Sequence, residues 1–279
     1  GTLGGGGHSS VILQRLQEEA MLFGIDQDDE ALQAASERIG NDTRFHPVKG
    51  NFAYLSTLIP SDYHGQVNGI LLDLGVSTHQ IREGERGFSF QEEGPLDMRM
   101  GNMTTLTAYD VVNTYSYEDL RDVIFHYGEE KKSREIARAI VNARPVESTA
   151  ELSEIIGEVV PGKFKVKSLA RVFQGIRIEV NKELKALEDV LEQSLELLAE
   201  GGRLVVISYH SLEDRLVKRF MKAGNTEGRI EKDFYGNDLS PLKSLYRQVI
   251  LPDADETQRN PAARSAKLRA AEKIRGGAS

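Results

Sequence analysis

Along the first hundred residues, short apolar runs alternate with amphipathic stretches. "VILQRLQEEA" (residues 11–20) has helical spacing, and "MLFGID" (21–26) is a short apolar run ending in an acid. "QDDEALQAASERI" (27–39) opens with carboxylates, which suit the positive end of a helix, and then keeps a helical period. "RFHPVKGNF" (44–52) reads as a weak strand. "VNGILLDLGVS" (67–77) is apolar on both faces, the pattern of a strand covered on both sides in a parallel sheet. "GGRLVVISYHS" (201–211) has the same character much later in the chain, and "LYRQVILP" (245–252) and "SAKLRAAEK" (265–273) read as two closing strands. Strands alternating with helices predict an α/β, doubly wound sheet.

The rhythm changes after Gly101. Residues 107–160 carry only a 3.6-residue period, too much helix for one crossover between sheet strands. The spacing predicts an inserted all-helical domain over 103–167, flanked by two parts of one sheet domain, 1–102 and 168–279. "NKELKALEDVLEQSLELLAE" (181–200), with Gly201 and Gly202 as its C-terminal cap, reads as the helix that returns the chain to the sheet.

With 39% hydrophobic residues in 279, the chain can bury a sizeable core, and no apolar run approaches the ~18 residues of a membrane span. No basic region followed by an apolar core marks a secretory leader. The chain has no cysteine, which excludes disulfides and thiolate metal sites and agrees with a cytoplasmic protein. The six histidines are scattered without metal-ligand spacing, so no metal is expected.

The net charge of −8 argues mildly against a nucleic-acid partner, but the charge is unevenly spread. "PGKFKVKSLARVFQGIRI" (161–178) holds Lys163, Lys165, Lys167, Arg171 and Arg177 and no acid. Residues 258–277 have Glu272 as their only acid. These stretches are either patches that grip phosphates or ordinary solvated faces.

"LGGGGHSS" (3–10) is either a linker or a loop that lets a ligand approach the backbone. A helix starting at once after it favours the loop, because free helix N–H groups then face it. Asp26 ends a strand about twenty residues on, where a Rossmann-like fold holds an acid for ribose hydroxyls. It is otherwise a cap for the next helix, a role that Asp28 fits better. Asp73 ends a buried strand at the sheet's carboxyl edge, where a carboxylate is costly unless paired or used. In "SYHSLEDR" (208–215), Ser208, His210, Ser211 and Glu213 form a polar cluster after the second buried strand. They read as a pocket for a flipped base and its phosphate, or as Ser211 capping a helix. Tyr209 could stack on a base or simply pack. Phe88, Phe90, Arg86 and Arg99 have the chemistry to meet nucleotides, with core packing the alternative for the phenylalanines.

The blocks "GGGGHSS", "GID", "GNF", "LLDLGVSTHQ", "ERGFSF", "GPLDMRM", "FQGIRIEVNKEL", "GGRLVVISYHSLEDRLVKRF" and "NPAARSAKLR" occur in this order. Together, from Gly1 to about Lys273, they resemble the bacterial small-subunit rRNA cytosine-N4-methyltransferases of the MraW type. The resemblance implies a Rossmann-like class I methyltransferase sheet with the helical insertion, and S-adenosyl-L-methionine as cofactor. It implies methylation of the exocyclic N4 of a cytidine in the decoding region of 16S rRNA, within the 30S subunit, with homodimerisation left open. Gly6, Gly7 and His8 match the family's cofactor loop, Asp26 its ribose acid, and Phe52 a residue against the adenine. Asp73 and Gln80 match further cofactor contacts. His79 stands where the family usually has proline, and the family's N-terminal strand before the glycine loop is expected to be missing.

The N4 lone pair is delocalised into the ring, whereas a sulfonium methyl is already activated, so the protein has mainly to align donor and acceptor. Asp73, as catalytic candidate, and the carbonyls after it can receive the N4 hydrogens as positive charge develops. The resemblance favours a cofactor role for Asp73, and no general base is demanded. Lys163, Lys165, Lys167 and Arg171, with Ser208, His210 and Ser211, are the candidate RNA contacts. The competing readings are an amino-methyltransferase on DNA or protein, and a ribosome-assembly factor that binds S-adenosylmethionine with little turnover.

Overall fold

The computed structural model describes residues 2–75, 86–101 and 104–274. Its contacts divide the chain into a sheet unit, Gly1–Gly75 with Leu184–Ser279, and a helical unit, Val76–Glu183. The sequence periods place the insertion at 103–167. The structural division is wider, because the helix that follows Lys165 runs unbroken to Asn181 and buries its apolar face within the helical unit.

In the sheet unit, β1 (Leu22–Asp26) pairs in parallel with β2 (Phe45–Lys49). A second sheet has the order β3 (Val67–Asp73), β4 (Leu198–Ser208), β6 (Lys267–Lys273), β5 (Leu242–Ser244). β3 and β4 are parallel, and the two closing strands run antiparallel. The helices of this unit are α1 (Gly7–Leu13), α2 (Asp29–Ile39), α3 (Leu55–Leu58), α9 (Glu183–Leu197), α10 (Ser211–Ala223) and α11 (Ala254–Arg259). Leu72, Leu204 and Val206 of the central strands pack with Leu187, Val190 and Leu191 of α9 and Phe220 of α10. Phe220 has no exposed surface, so truncating it to alanine is expected to cost about 3–5 kcal/mol.

Three local expectations are corrected. The first helix spans Gly7–Leu13 rather than 11–20. It starts within the glycine run and ends at Leu13, and the Arg44 guanidinium takes the carbonyls of Leu16 and Gln17 beyond it at 3.0 and 3.3 Å. The returning helix ends at Leu197, not at the glycine pair. Gly201 (φ +79°) and Gly202 instead lie inside β4, where the register against β3 shifts between Val67 and Gly69. Of "LYRQVILP" only Ile250 bridges to Leu268; the edge strand is the preceding Leu242–Ser244, and Tyr246 and Leu251 are exposed.

The helical unit comprises α4 (Ala108–Thr114), α5 (Tyr117–His126), α6 (Ser133–Ala143), α7 (Thr149–Val159) and α8 (Lys165–Asn181). Thr107, Ser116 and Ser148 cap three of these helices by accepting from backbone N–H groups. Its own core is formed by Ile124, Ile136, Ile140, Leu152, Ile156 and Ile176. Phe88 and Phe90 pack against that core, Phe90 edge-on to Phe173 with ring centroids 5.8 Å apart, and Arg99 forks onto Asp97. The packing alternative therefore describes both phenylalanines.

Candidate active site

The carboxyl ends of β1 and β3 bring the glycine loop and two acids together. Asp26 Oδ2 accepts the Gly4 N–H at 2.9 Å and Oδ1 accepts the Asp28 N–H at 3.0 Å. Asp26 thus clamps the loop and the start of α2, while Asp28 caps α2 through Glu30 N. Leu3 N donates to Ile25 O at 2.9 Å, so the segment entering the loop lies along the end of β1. Gly6, at φ +72°, precedes α1, and a Cβ there would stand 3.0 Å from Ala35. Only glycine combines that conformation with that approach to α2. Gly4 and Gly5, in contrast, face open space.

At the second position of α1, His8 Nε2 lies 3.4 Å from Asp73 Oδ2. The other carboxylate oxygen, Oδ1, accepts the Tyr209 hydroxyl at 2.9 Å. Asp73 N donates to the Thr2 hydroxyl oxygen at 3.0 Å, so both main chain and side chain of Asp73 are held. The hydrogen bond to Asp73 raises the His8 pKa above its ordinary value against the opposing effect of burial. Burial first, and then the Asp73 charge, raises that of the Tyr209 phenol and keeps it protonated. Phe52 opens the short turn after β2, half-buried; Gly50 N donates to Asp26 O at 2.9 Å and holds that turn beside β1.

Gly6, Gly7, His8, Asp26, Phe52 and Asp73 therefore share one edge of the sheet unit, and Gln80 lies outside the described residues. The "SYHS" cluster separates. Ser208 is buried, with its hydroxyl turned to Lys267 O at 3.4 Å in the sheet. The cap of α10 is His210 rather than Ser211: its Nδ1 faces Glu213 N at 3.4 Å, and the Glu213 carboxylate returns to Tyr209 N and His210 N. Histidine serves there because a neutral ring nitrogen accepts as a serine oxygen would. Tyr209 is the residue that sequence reasoning left undecided. Its signal was the pairing of Asp73 with Ile207, two positions before it, which only strand adjacency reveals.

In the helical unit Lys163, Lys165 and Lys167 are exposed around the start of α8. Arg171 instead turns to Glu130 at 3.5 Å, and Ser168 donates to the same carboxylate at 2.8 Å. Glu130 is buried, and such a group needs a counter-charge more than a solvated phosphate contact does. Arg177 likewise forks onto Glu183, its Nε and Nη2 each donating at 2.8 Å.

An acid-flanked glycine loop at a parallel-sheet edge, without the spacing of a dinucleotide fingerprint, agrees with one family across the whole chain: the sequence model of the MraW methylase family matches residues 1–274. The chain belongs to the MraW methylase family. It is 50% identical over 275 residues to the ribosomal RNA small subunit methyltransferase H of Bacteroides fragilis (strain YCH46), covering 98% of this chain and 89% of that protein. The protein of the same name from Flavobacterium johnsoniae is 50% identical over 278 residues (98% and 90% covered). That from Parabacteroides distasonis is 48% identical over 279 residues (98% and 90%). The chain is thus a methyltransferase, and its family implies a methyl donor. Among the described residues no helix is long and apolar enough to cross a membrane.

Proposed function

We propose that this methyltransferase transfers a methyl group from S-adenosylmethionine to the exocyclic N4 of a cytidine in the decoding region of 16S rRNA, acting on the 30S subunit in the cytoplasm. The observation that carries the reading is the pair Asp26 and Asp73, set on either side of a glycine loop whose Gly4 and Gly5 face open space. The residues fit the donor. Each Asp26 oxygen accepts one backbone N–H and keeps a lone pair for a ribose hydroxyl. Gly4 and Gly5 offer a backbone that can be approached closely, Phe52 offers an apolar face for a purine, and Gly6, Gly7, His8 and Gln80 are further contacts by family resemblance.

S-adenosylmethionine, when bound, supplies a methyl group activated by a sulfonium centre. Asp73 then has two uses: its charge favours a cation beside it, and its oxygens can accept the hydrogens of the N4 amine as that nitrogen becomes positive. With the amine held by Asp73, the N4 lone pair would take the methyl carbon as the carbon–sulfur pair returned to sulfur, and the surplus N4 proton would pass to water. Lys163, Lys165 and Lys167 supply phosphate contacts.

The test is nucleoside mass spectrometry of rRNA after incubation of unmodified 30S subunits with the protein and S-adenosylmethionine. N4-methylcytidine at one decoding-region position is expected. Donor binding without methyl transfer would instead favour an assembly factor, and transfer only to DNA or protein would reassign the substrate.

A further inference from the structure

We propose that Tyr209 is a positioning residue for methyl transfer, its hydroxyl fixing the orientation of the Asp73 carboxylate; this rests on the function proposed above. Tyr209 follows the end of β4, and its backbone N–H donates to Glu213 Oε2 at 2.9 Å, with the His210 N–H on the same oxygen at 3.3 Å. Glu213 is buried in the first turn of α10, so the tyrosine springs from a fixed point. Its hydroxyl reaches Asp73 Oδ1 at 2.9 Å, while His8 Nε2 stands 3.4 Å from Oδ2. A carboxylate held at both oxygens does not turn freely about its terminal bond, so its remaining lone pairs keep set directions. The ring follows the turn after Asp73: a Cβ at Gly75, where φ is +95°, would lie 3.6 Å from Tyr209 Cδ2. Packing alone would be served by phenylalanine, so the hydroxyl is the part that the geometry singles out. The phenol stays protonated beside Asp73 and acts as donor, not as base.

The decisive variant is Tyr209→Phe, which keeps the ring. Single-turnover methylation of 30S subunits at saturating S-adenosylmethionine should fall about 10-fold or more, the scale of a small misplacement of reacting groups. Donor affinity by calorimetry and the melting temperature should hardly move. In an Asp73→Asn background the same substitution should cost far less than in the wild type, because the charged acceptor that the hydroxyl orients is gone. A readout free of turnover is the His8 imidazole titration by NMR. With the competing Tyr209 donor gone, Asp73 should hold the proton on His8 more strongly and move its titration further upward. Asp73→Asn should move it downward, because the lowering effect of burial then stands against only the smaller raising influence of Glu256. A wild-type rate in Tyr209→Phe, an equal loss in the Asp73→Asn background, or an unmoved His8 titration would each overturn the proposal. Wild-type protein that leaves rRNA unmethylated would instead overturn the functional reading, and this one with it, so the two failures are separable.

Discussion

The carboxyl edge of the sheet unit and the basic segment of the helical unit both concentrate charge, but in different physical ways. At the sheet edge, Asp73 is 27% exposed and held at both oxygens, and Asp26 accepts two backbone N–H groups. Around the start of α8, Lys163, Lys165 and Lys167 stand in solvent on flexible stems. Charges of the first kind act through direction, since half-buried groups with fixed partners interact strongly and resist reorientation. Those of the second kind act through number, since exposed cations contribute by releasing counterions from a polyanion and are screened by salt. The contrast separates chemistry from grip, and each substitution below tests one side of it.

The largest effect is expected at Asp73. Asp73→Asn keeps the shape and removes the charge. Single-turnover methylation at saturating donor should remain at least ~10²-fold slow, as when a positioned acceptor is lost. Recovery of a near-normal rate at saturation, in a protein that still melts cooperatively, would confine Asp73 to donor binding. Next comes Asp26→Ala, which should cost roughly 1–3 kcal/mol of S-adenosylmethionine affinity, the scale for a charged hydrogen-bond partner. Because Asp26 also clamps Gly4 and Asp28, the melting temperature of the ligand-free protein should fall too. Unchanged calorimetric affinity would remove Asp26 from the site.

A smaller effect, visible mainly through salt, is expected from replacing Lys163, Lys165 and Lys167 together with alanine. The salt slope of 30S binding should flatten by up to about one per lost phosphate contact, with donor affinity intact. An identical slope would make them ordinary solvated lysines. Arg171 is left in place because its removal would strand the buried Glu130.

The smallest effect concerns His8. Its pKa is raised in the folded protein, chiefly by the hydrogen bond to Asp73, so folding favours the protonated ring. The stabilisation is complete below the ordinary histidine pKa of about 6.5 and is lost as pH rises through the raised folded value. His8→Gln should flatten the melting temperature against pH across that window and leave the plateau above it unchanged. With the His8 side chain 58% exposed, the shift should be small. A pH profile that Gln at this position leaves intact would show that the pair does not form in solution.

Much of this was legible in the chain itself. The two-sided apolar runs of β3 and β4, the acids that end β1 and β3, and the helical period after Thr107 follow from side-chain spacing alone, because burial selects residues position by position. Asp28 as the cap of α2 was readable for the same reason: a cap is a contact between near neighbours. The boundaries of α9 and β5 were not. They depend on the register shift at Gly69 and on which short segment β6 recruits.

The candidate site divides along the same line. Local sequence determined that a bare glycine loop leads into a helix and that two carboxylates terminate strands. Only the tertiary structure decided what those groups face. It placed Tyr209, 136 residues along the chain from Asp73, on one carboxylate oxygen. It used His210 as a cap and turned Ser208 into the sheet, although both look like pocket residues in the sequence. It also withdrew Arg171 from a basic run to neutralise Glu130. Residue type fixes what a group can do, whereas its partners depend on strand adjacency and on the need to satisfy every buried charge, and both are set by contacts between distant parts of the chain.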